Sequence, residues 1–214
     1  MEFESLNAAD GGEGQRRWKE AGRPVVPTLV VDGRATPVLH VTQIAETLGL
    51  PAPPGGSPAE EGDQALAILR AWIKTVRNAS WEALLEPTPA RGRTLRNLTV
   101  NVFHPFELLP AAWTTGEFPW HPEDDAGREE RLENLEDLLA FAVEAADGWK
   151  AFLGHELLAG DDRNVASPRG SVRFSALVSF QRWHAAYHYR QVAHILRAED
   201  RLRLEGLVLP RDVF

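Results

Sequence analysis

The sequence predicts a mainly α protein, a four-helix bundle preceded by a small α/β segment. Three observations lead there. Four long stretches carry apolar residues at three- and four-residue spacing, the period of a helix with one buried face. A β-rich run near the N-terminus ends in an Asp-Gly turn signal. Between the two patterns lies a stretch of prolines and glycines that continues neither.

The first fifty residues read as a βαββα order. Phe3 to Leu6 suits a short strand, and the polar run Asp10 to Ala21 suits a helix. Val25-Val26-Pro27-Thr28-Leu29-Val30-Val31 is rich in β-branched residues and closes on Asp32-Gly33. Pro37 to Val41 is the expected return strand. Thr42 can cap a helix over Gln43–Leu48, which Gly49 ends. Residues 51–57, with Pro51, Pro53, Pro54, Gly55 and Gly56, form the linker.

The bundle is expected over 58–214. Its first helix, about 58–77, starts with Ser57 as N-cap, Pro58 at the first position and Glu60 at the third. Its stripe is Leu66, Leu69, Ile73 and Val76. The second helix, about 94–113, carries Leu95, Leu98, Val102, Phe106 and Leu109, with Pro105 expected to kink it. The third, about 127–153, has the most regular stripe, from Leu132 and Leu135 to Trp149 and Leu153. The fourth spans about 171–197. The loops at 114–126 and 154–170 are long, and long loops in a compact domain often shape a site.

Composition narrows the chemistry. The chain has 214 residues and 43% apolar content, enough for a bundle with a smaller appendage. Its net charge of −8 disfavours nucleic acid, which rewards basic surfaces. No apolar run approaches the roughly 18–20 residues that span a bilayer. Met1 to Ser5 lacks the basic and apolar regions of a signal peptide, so the chain reads as cytoplasmic. With no cysteine, disulfides, Cys-based zinc sites and thiol nucleophiles are excluded. Any soft chemistry then rests on the seven histidines or comes from a partner.

The fourth helix contains His184-Ala185-Ala186-Tyr187-His188. The i, i+4 spacing sets both imidazoles on one face, where they can share one ion. Gln191 lies on the same face. By spacing alone, two ordinary helix histidines fit equally well. His104 is the best third ligand because it lies within a helix, yet on a helical wheel it sits opposite the apolar stripe. Its own face holds Asn97, Val100, Asn101, Glu107, Leu108 and Ala111. Either that helix is buried on both sides or His104 faces solvent. His40, His121, His155 and His194 read as surface or packing residues.

Residues 95–104, Leu-Arg-Asn-Leu-Thr-Val-Asn-Val-Phe-His, resemble the second-helix motif of DinB-like proteins, including the mycothiol-dependent maleylpyruvate isomerase type. Residues 183–191, Trp-His-Ala-Ala-Tyr-His-Tyr-Arg-Gln, resemble that family's last-helix motif, His-x-x-x-His followed by Arg and Gln. The resemblance covers about residues 58–200. It implies a DinB-like four-helix bundle and a divalent metal held by His104, His184 and His188. Zinc is the default ion, and nickel or iron also suits imidazole. The first fifty residues resemble the C-terminal part of a glutaredoxin-like (thioredoxin) fold. Val26-Pro27-Thr28 is similar to its cis-proline loop, whose backbone pairs with a bound thiol, which makes Val26 and Pro27 cofactor-binding candidates. The chain departs from that fold in lacking its opening strand and helix and its Cys-x-x-Cys. A degenerate half-domain that packs on the bundle or mediates dimerisation is the favoured reading of this segment.

The resemblance further implies a small-molecule substrate and a low-molecular-weight thiol such as mycothiol or bacillithiol. A metal can hold such a thiol as thiolate or lower the pKa of a bound water to about 7. A metal-dependent thiol S-transferase or isomerase is the leading expectation. A non-catalytic metal- or ligand-binding protein, or a dimer module of the same fold, is the alternative. Glu107 is read chiefly as a solvated glutamate, with a base or second-shell role as the other option. Arg190 suits either a substrate carboxylate or a surface ion pair.

Overall fold

The computed structural model describes residues 4–8, 11–22, 28–37, 44–45, 47–51, 57–88, 93–121, 124–154, 162–168 and 170–196. Among the described residues the protein is mainly helical, with two antiparallel strand pairs. The chain divides into two compact units, Met1–Gly55 and Gly56–Phe214.

In the first unit, helix α1 (Glu13–Glu20) precedes strands β1 (Thr28–Val31) and β2 (Arg34–Pro37). Arg17 ties α1 to Glu4 at 2.9 Å and to Glu13 at 2.8 Å. Gly14 is buried, and a Cβ there would clash with the backbone oxygen of Asn7. The strands pair with Val31 opposite Arg34. The two residues between, Asp32 and Gly33, both have positive φ, 49° and 76°. That is the turn whose twist matches paired strands, and Asp-Gly favours it. The return strand therefore begins three residues earlier than the sequence suggested, because the turn needs only Asp32 and Gly33. Residues 4–7 are irregular rather than strand, while Ile44, Ala45 and Thr47 are helical. Val26, Pro27 and 38–41 lie outside the described residues.

In the second unit, α2 (Pro58–Arg77) starts where the capping box places it. The Ser57 N–H donates to Glu60 Oε2 at 2.7 Å, and Ser57 Oγ accepts from the Glu60 N–H at 3.2 Å. The Ser57 backbone N–H, and then its hydroxyl, hold the Glu60 carboxyl below the usual range. A lowered folded-state value means the cap is intact at neutral pH and weakens only as acid protonates Glu60. A short helix α3 (Trp81–Leu85), capped by Ser80, follows. Helix α4 (Leu95–Thr115) is capped by Thr94, runs through Pro105 and Pro110, and stops at Gly116 with φ 78°. Then come α5 (Asp125–Glu129), α6 (Leu135–Leu153), strands β3 (Asn164–Ser167) and β4 (Gly170–Arg173), and α7 (Phe174–Ile195).

Helices α2 and α4 each pack against both α6 and α7. Where α2 meets α6, Gly62 leaves room for Leu153 and Trp149, and its carbonyl accepts from Trp149 Nε1 at 3.1 Å. Trp72 is fully buried at the meeting of three helices. Its Nε1–H donates to Thr99 Oγ1 on α4 at 3.0 Å, and its ring lies 6.1 Å from those of Phe103 on α4 and Tyr189 on α7. Glu61 on α2 pairs with Arg182 on α7 and accepts from Ser179 Oγ at 3.2 Å.

Two boundaries differ from the sequence pattern. The third long helix starts at Leu135, not near 127, because Asn134 caps it by accepting from the Asp137 N–H at 2.9 Å. Asp137 Oδ2 in turn accepts from Glu133 N, which turns the chain out of helix. Leu132 remains buried outside that helix. The last helix starts at Phe174, because 164–173 form the β3–β4 hairpin within what read as loop and helix start.

Replacing Trp72 with Ala should cost about 3–5 kcal/mol, the range for emptying a buried aromatic site. Urea denaturation measures this, and a loss below about 1 kcal/mol would show that the site is not a fixed point of the core.

Candidate functional site

Helix α4 is buried on both sides. Leu98, Val102 and Phe106 are buried, and so are Asn101 and His104 on the opposite face. This settles the wheel conflict of His104, since its face is covered by protein. Buried polar groups need partners, and the partners come from the crossover after α4. That crossover brings Trp120 and then Asp125, at the start of α5, against the helix.

Asp125 is 1% exposed and accepts three hydrogen bonds. His104 Nδ1 lies 2.9 Å from its Oδ1, Trp120 Nε1 lies 3.2 Å from the same oxygen, and Asn101 Nδ2 lies 2.6 Å from Oδ2. Asn101 Oδ1 then faces His184 Nε2 across the helix pair at 3.0 Å and Arg93 Nη1 at 3.4 Å. A single polar chain thus runs from His104 to His184 through one carboxylate and one amide.

The chain of bonds assigns the protons. A carboxylate only accepts, so His104 carries its proton on Nδ1 and Asn101 turns its NH2 toward Asp125. Asn101 Oδ1 must then accept, so His184 carries its proton on Nε2. His188 Nδ1 lies 2.7 Å from Gln191 Oε1, which marks Nδ1 as its donor. The nitrogens with lone pairs are therefore Nε2 of His104, Nδ1 of His184 and Nε2 of His188.

His184 and His188 stand on successive turns of α7, ring centroids 4.8 Å apart at 85°. Aromatic rings surround them. Phe180 stacks parallel to His184 at 6.1 Å, Trp120 lies 5.8 Å from it, and Tyr187 lies 5.1 Å from His188. Tyr187 stacks in turn on Trp183 at 5.6 Å. Trp183, Tyr187 and His188 are half-buried, so this wall is partly open to solvent.

Among the expected ligands, then, the structure links His104 to His184 through Asn101 and Asp125 and sets His188 beside His184. Among the described residues, no three His, Asp, Glu or Cys side chains are gathered closely enough to hold a metal ion. Glu107 pairs with Arg128 at 2.9 Å and takes no part. Tyr189 is buried against Thr75 at 3.3 Å, away from the histidines. His121 is exposed, while His40 and His155 lie outside the described residues. Asp125 and Trp120 were not singled out in the sequence. The available signal was the long loop after the second helix, which does supply both.

Replacing Asp125 with Ala leaves three buried donors without their acceptor and should cost about 2–4 kcal/mol in chemical denaturation. Nitrogen NMR of the imidazoles should find His104 protonated on Nδ1 and His184 on Nε2, and the reverse tautomer at His184 would contradict the assigned chain of bonds.

A search with protein-family models finds no match to this chain, and comparison with curated proteins and with solved structures finds none either.

Proposed function

We propose that the four packed helices form a DinB-like bundle and that His104, His184 and His188 bind one divalent metal ion, zinc by default and otherwise nickel or iron. The observation that carries this reading is the His104–Asp125 pair. A carboxylate on one imidazole nitrogen fixes the tautomer and directs the other nitrogen to a metal, the usual outer support of metal-binding histidines. Gln191 gives His188 the same support, and the i, i+4 pair on α7 supplies two donors from one helix face.

The ion would supply Lewis acidity and a position for a small-molecule substrate or a low-molecular-weight thiol such as mycothiol. The chain's own part is to orient and to shelter. Asp125 keeps the His104 ring in place, Asn101 holds His184, and Trp120 and Phe180 keep water from His184. Trp183 and Tyr187 offer an aromatic wall at the open side, suited to a substrate with an apolar body. The function is that of a metal-dependent thiol S-transferase or isomerase. The N-terminal unit by itself suits a dimer contact between copies, and Val26 and Pro27, its candidates for binding a thiol, lie outside the described residues.

One observation favours the non-catalytic alternative. His184 Nε2 is already engaged by Asn101, so the buried polar chain also serves as a structural cross-link between α4 and α7.

Elemental analysis separates the two. The purified protein should carry near one equivalent of metal. A His184→Ala, His188→Ala double variant that keeps its helical circular dichroism should carry less than about a tenth. No metal in the parent after incubation with zinc, nickel and iron would overturn the metal reading and leave the structural one.

A further inference from the structure

Arg93 stands just ahead of α4, and its backbone is held in place by the Thr88 N–H, which donates to the Arg93 carbonyl at 2.7 Å. Its side chain is half-buried and turned inward, where Nη1 donates to Asn101 Oδ1 at 3.4 Å. That contact is long for an N–H···O bond, and it ends on a neutral amide. Arg96, Arg128 and Arg182 of the same unit each reach a carboxylate instead, Glu129 at 2.8 Å, Glu107 at 2.9 Å and Glu61. Among the described residues no carboxylate pairs with the Arg93 guanidinium. The oxygen that Arg93 meets also faces His184 Nε2 at 3.0 Å. Guanidinium and imidazole therefore converge on one atom of the polar chain.

We propose that Arg93 is an anion-binding residue of the polar site and takes the carboxylate of a small organic acid beside His184. A guanidinium presents a planar fork that matches a carboxylate with two parallel hydrogen bonds, each stronger than a bond to a neutral amide. The same surroundings limit the charge of the ligand. The buried Asp125 carboxylate lies on the other side of Asn101, its Oδ2 2.6 Å from Nδ2, and repels a second negative charge. A monoanionic carboxylate therefore fits better than a phosphate dianion. The inference concerns the site of the metal reading without resting on it, because Arg93 and Asn101 are positioned by protein contacts alone.

Nitrogen-resolved NMR of the side chains tests this on the full chain as purified. Benzoate, titrated at constant ionic strength, should shift the Arg93 Nε–H and His184 ring signals saturably, with a Kd of about 1–10 mM. Benzamide, which has the same shape without the charge, should not, and inorganic phosphate should bind more weakly than benzoate. Arg93→Gln should weaken benzoate binding, read at His184, about 10-fold or more. Arg93→Lys keeps the charge but loses the fork, and should fall between the two. No saturable response to benzoate in the parent, or an equal response to benzamide, would overturn the proposal. So would a lower melting temperature for Arg93→Gln with benzoate affinity unchanged, which marks the guanidinium as a structural counter-charge to Asp125. Saturable benzoate binding by protein that elemental analysis finds free of metal would uphold this inference while the metal reading fails.

Discussion

A carboxylate removed from water must be surrounded by donors, and that requirement organises the second unit. Asp125 meets it with His104, Asn101 and Trp120. Each partner is thereby fixed as well. Asp125, in the crossover from α4 to α6, is fastened to α4 through His104 and Asn101, and Trp120 of the same crossover bonds it as well. The polar face of α4 can be buried only because that crossover covers it. Without the carboxylate, His104 and Asn101 would need solvent, and α4 would have to turn its second face outward.

The two sides of α7 show two uses of buried polarity. Toward α2, Arg182, Ser179 and Tyr189 each meet a named partner and act as cross-links. Toward α4, His184 Nε2 meets Asn101 Oδ1 at 3.0 Å, which joins the two helices through the polar chain that includes Asp125. A core built for stability alone would fill those positions with leucine or phenylalanine, as it does at Leu177 and Phe180. At His184 the core instead keeps a polar contact, the hydrogen bond to Asn101 that joins α7 to α4.

Much of the helical architecture was legible in local pattern. The box Ser57-Pro58-Ala59-Glu60 set the start of α2, and the Asp32-Gly33 turn set the hairpin of the first unit, because caps and tight turns are decided by neighbours in sequence. The start of α6 was not legible from its stripe. Leu132 fits the helical period and is buried, but it packs from an irregular segment ended by the Asn134 cap. The β3–β4 hairpin escaped notice because its four-residue strands carry one buried valine each, Val165 and Val172. The histidine pair on α7 was visible from spacing, whereas Asp125 was not. Its partners on α4 lie 21 and 24 residues away, at His104 and Asn101, and no local period encodes such a contact.

The β3–β4 hairpin does more than join two helices. The Ala166 N–H donates to the Gly116 carbonyl at 2.8 Å, and the Ala166 carbonyl accepts from Phe118 N–H at 2.7 Å. Gly116 ends α4 and opens the crossover that carries Trp120 and Asp125, while the same hairpin runs directly into α7 and its histidines. Arg163 reinforces the joint by donating to the Trp113 carbonyl at 2.7 Å. The two walls of the polar site are therefore stitched to a common β-ribbon. Their spacing is thus set by backbone hydrogen bonds, and not by side-chain packing alone.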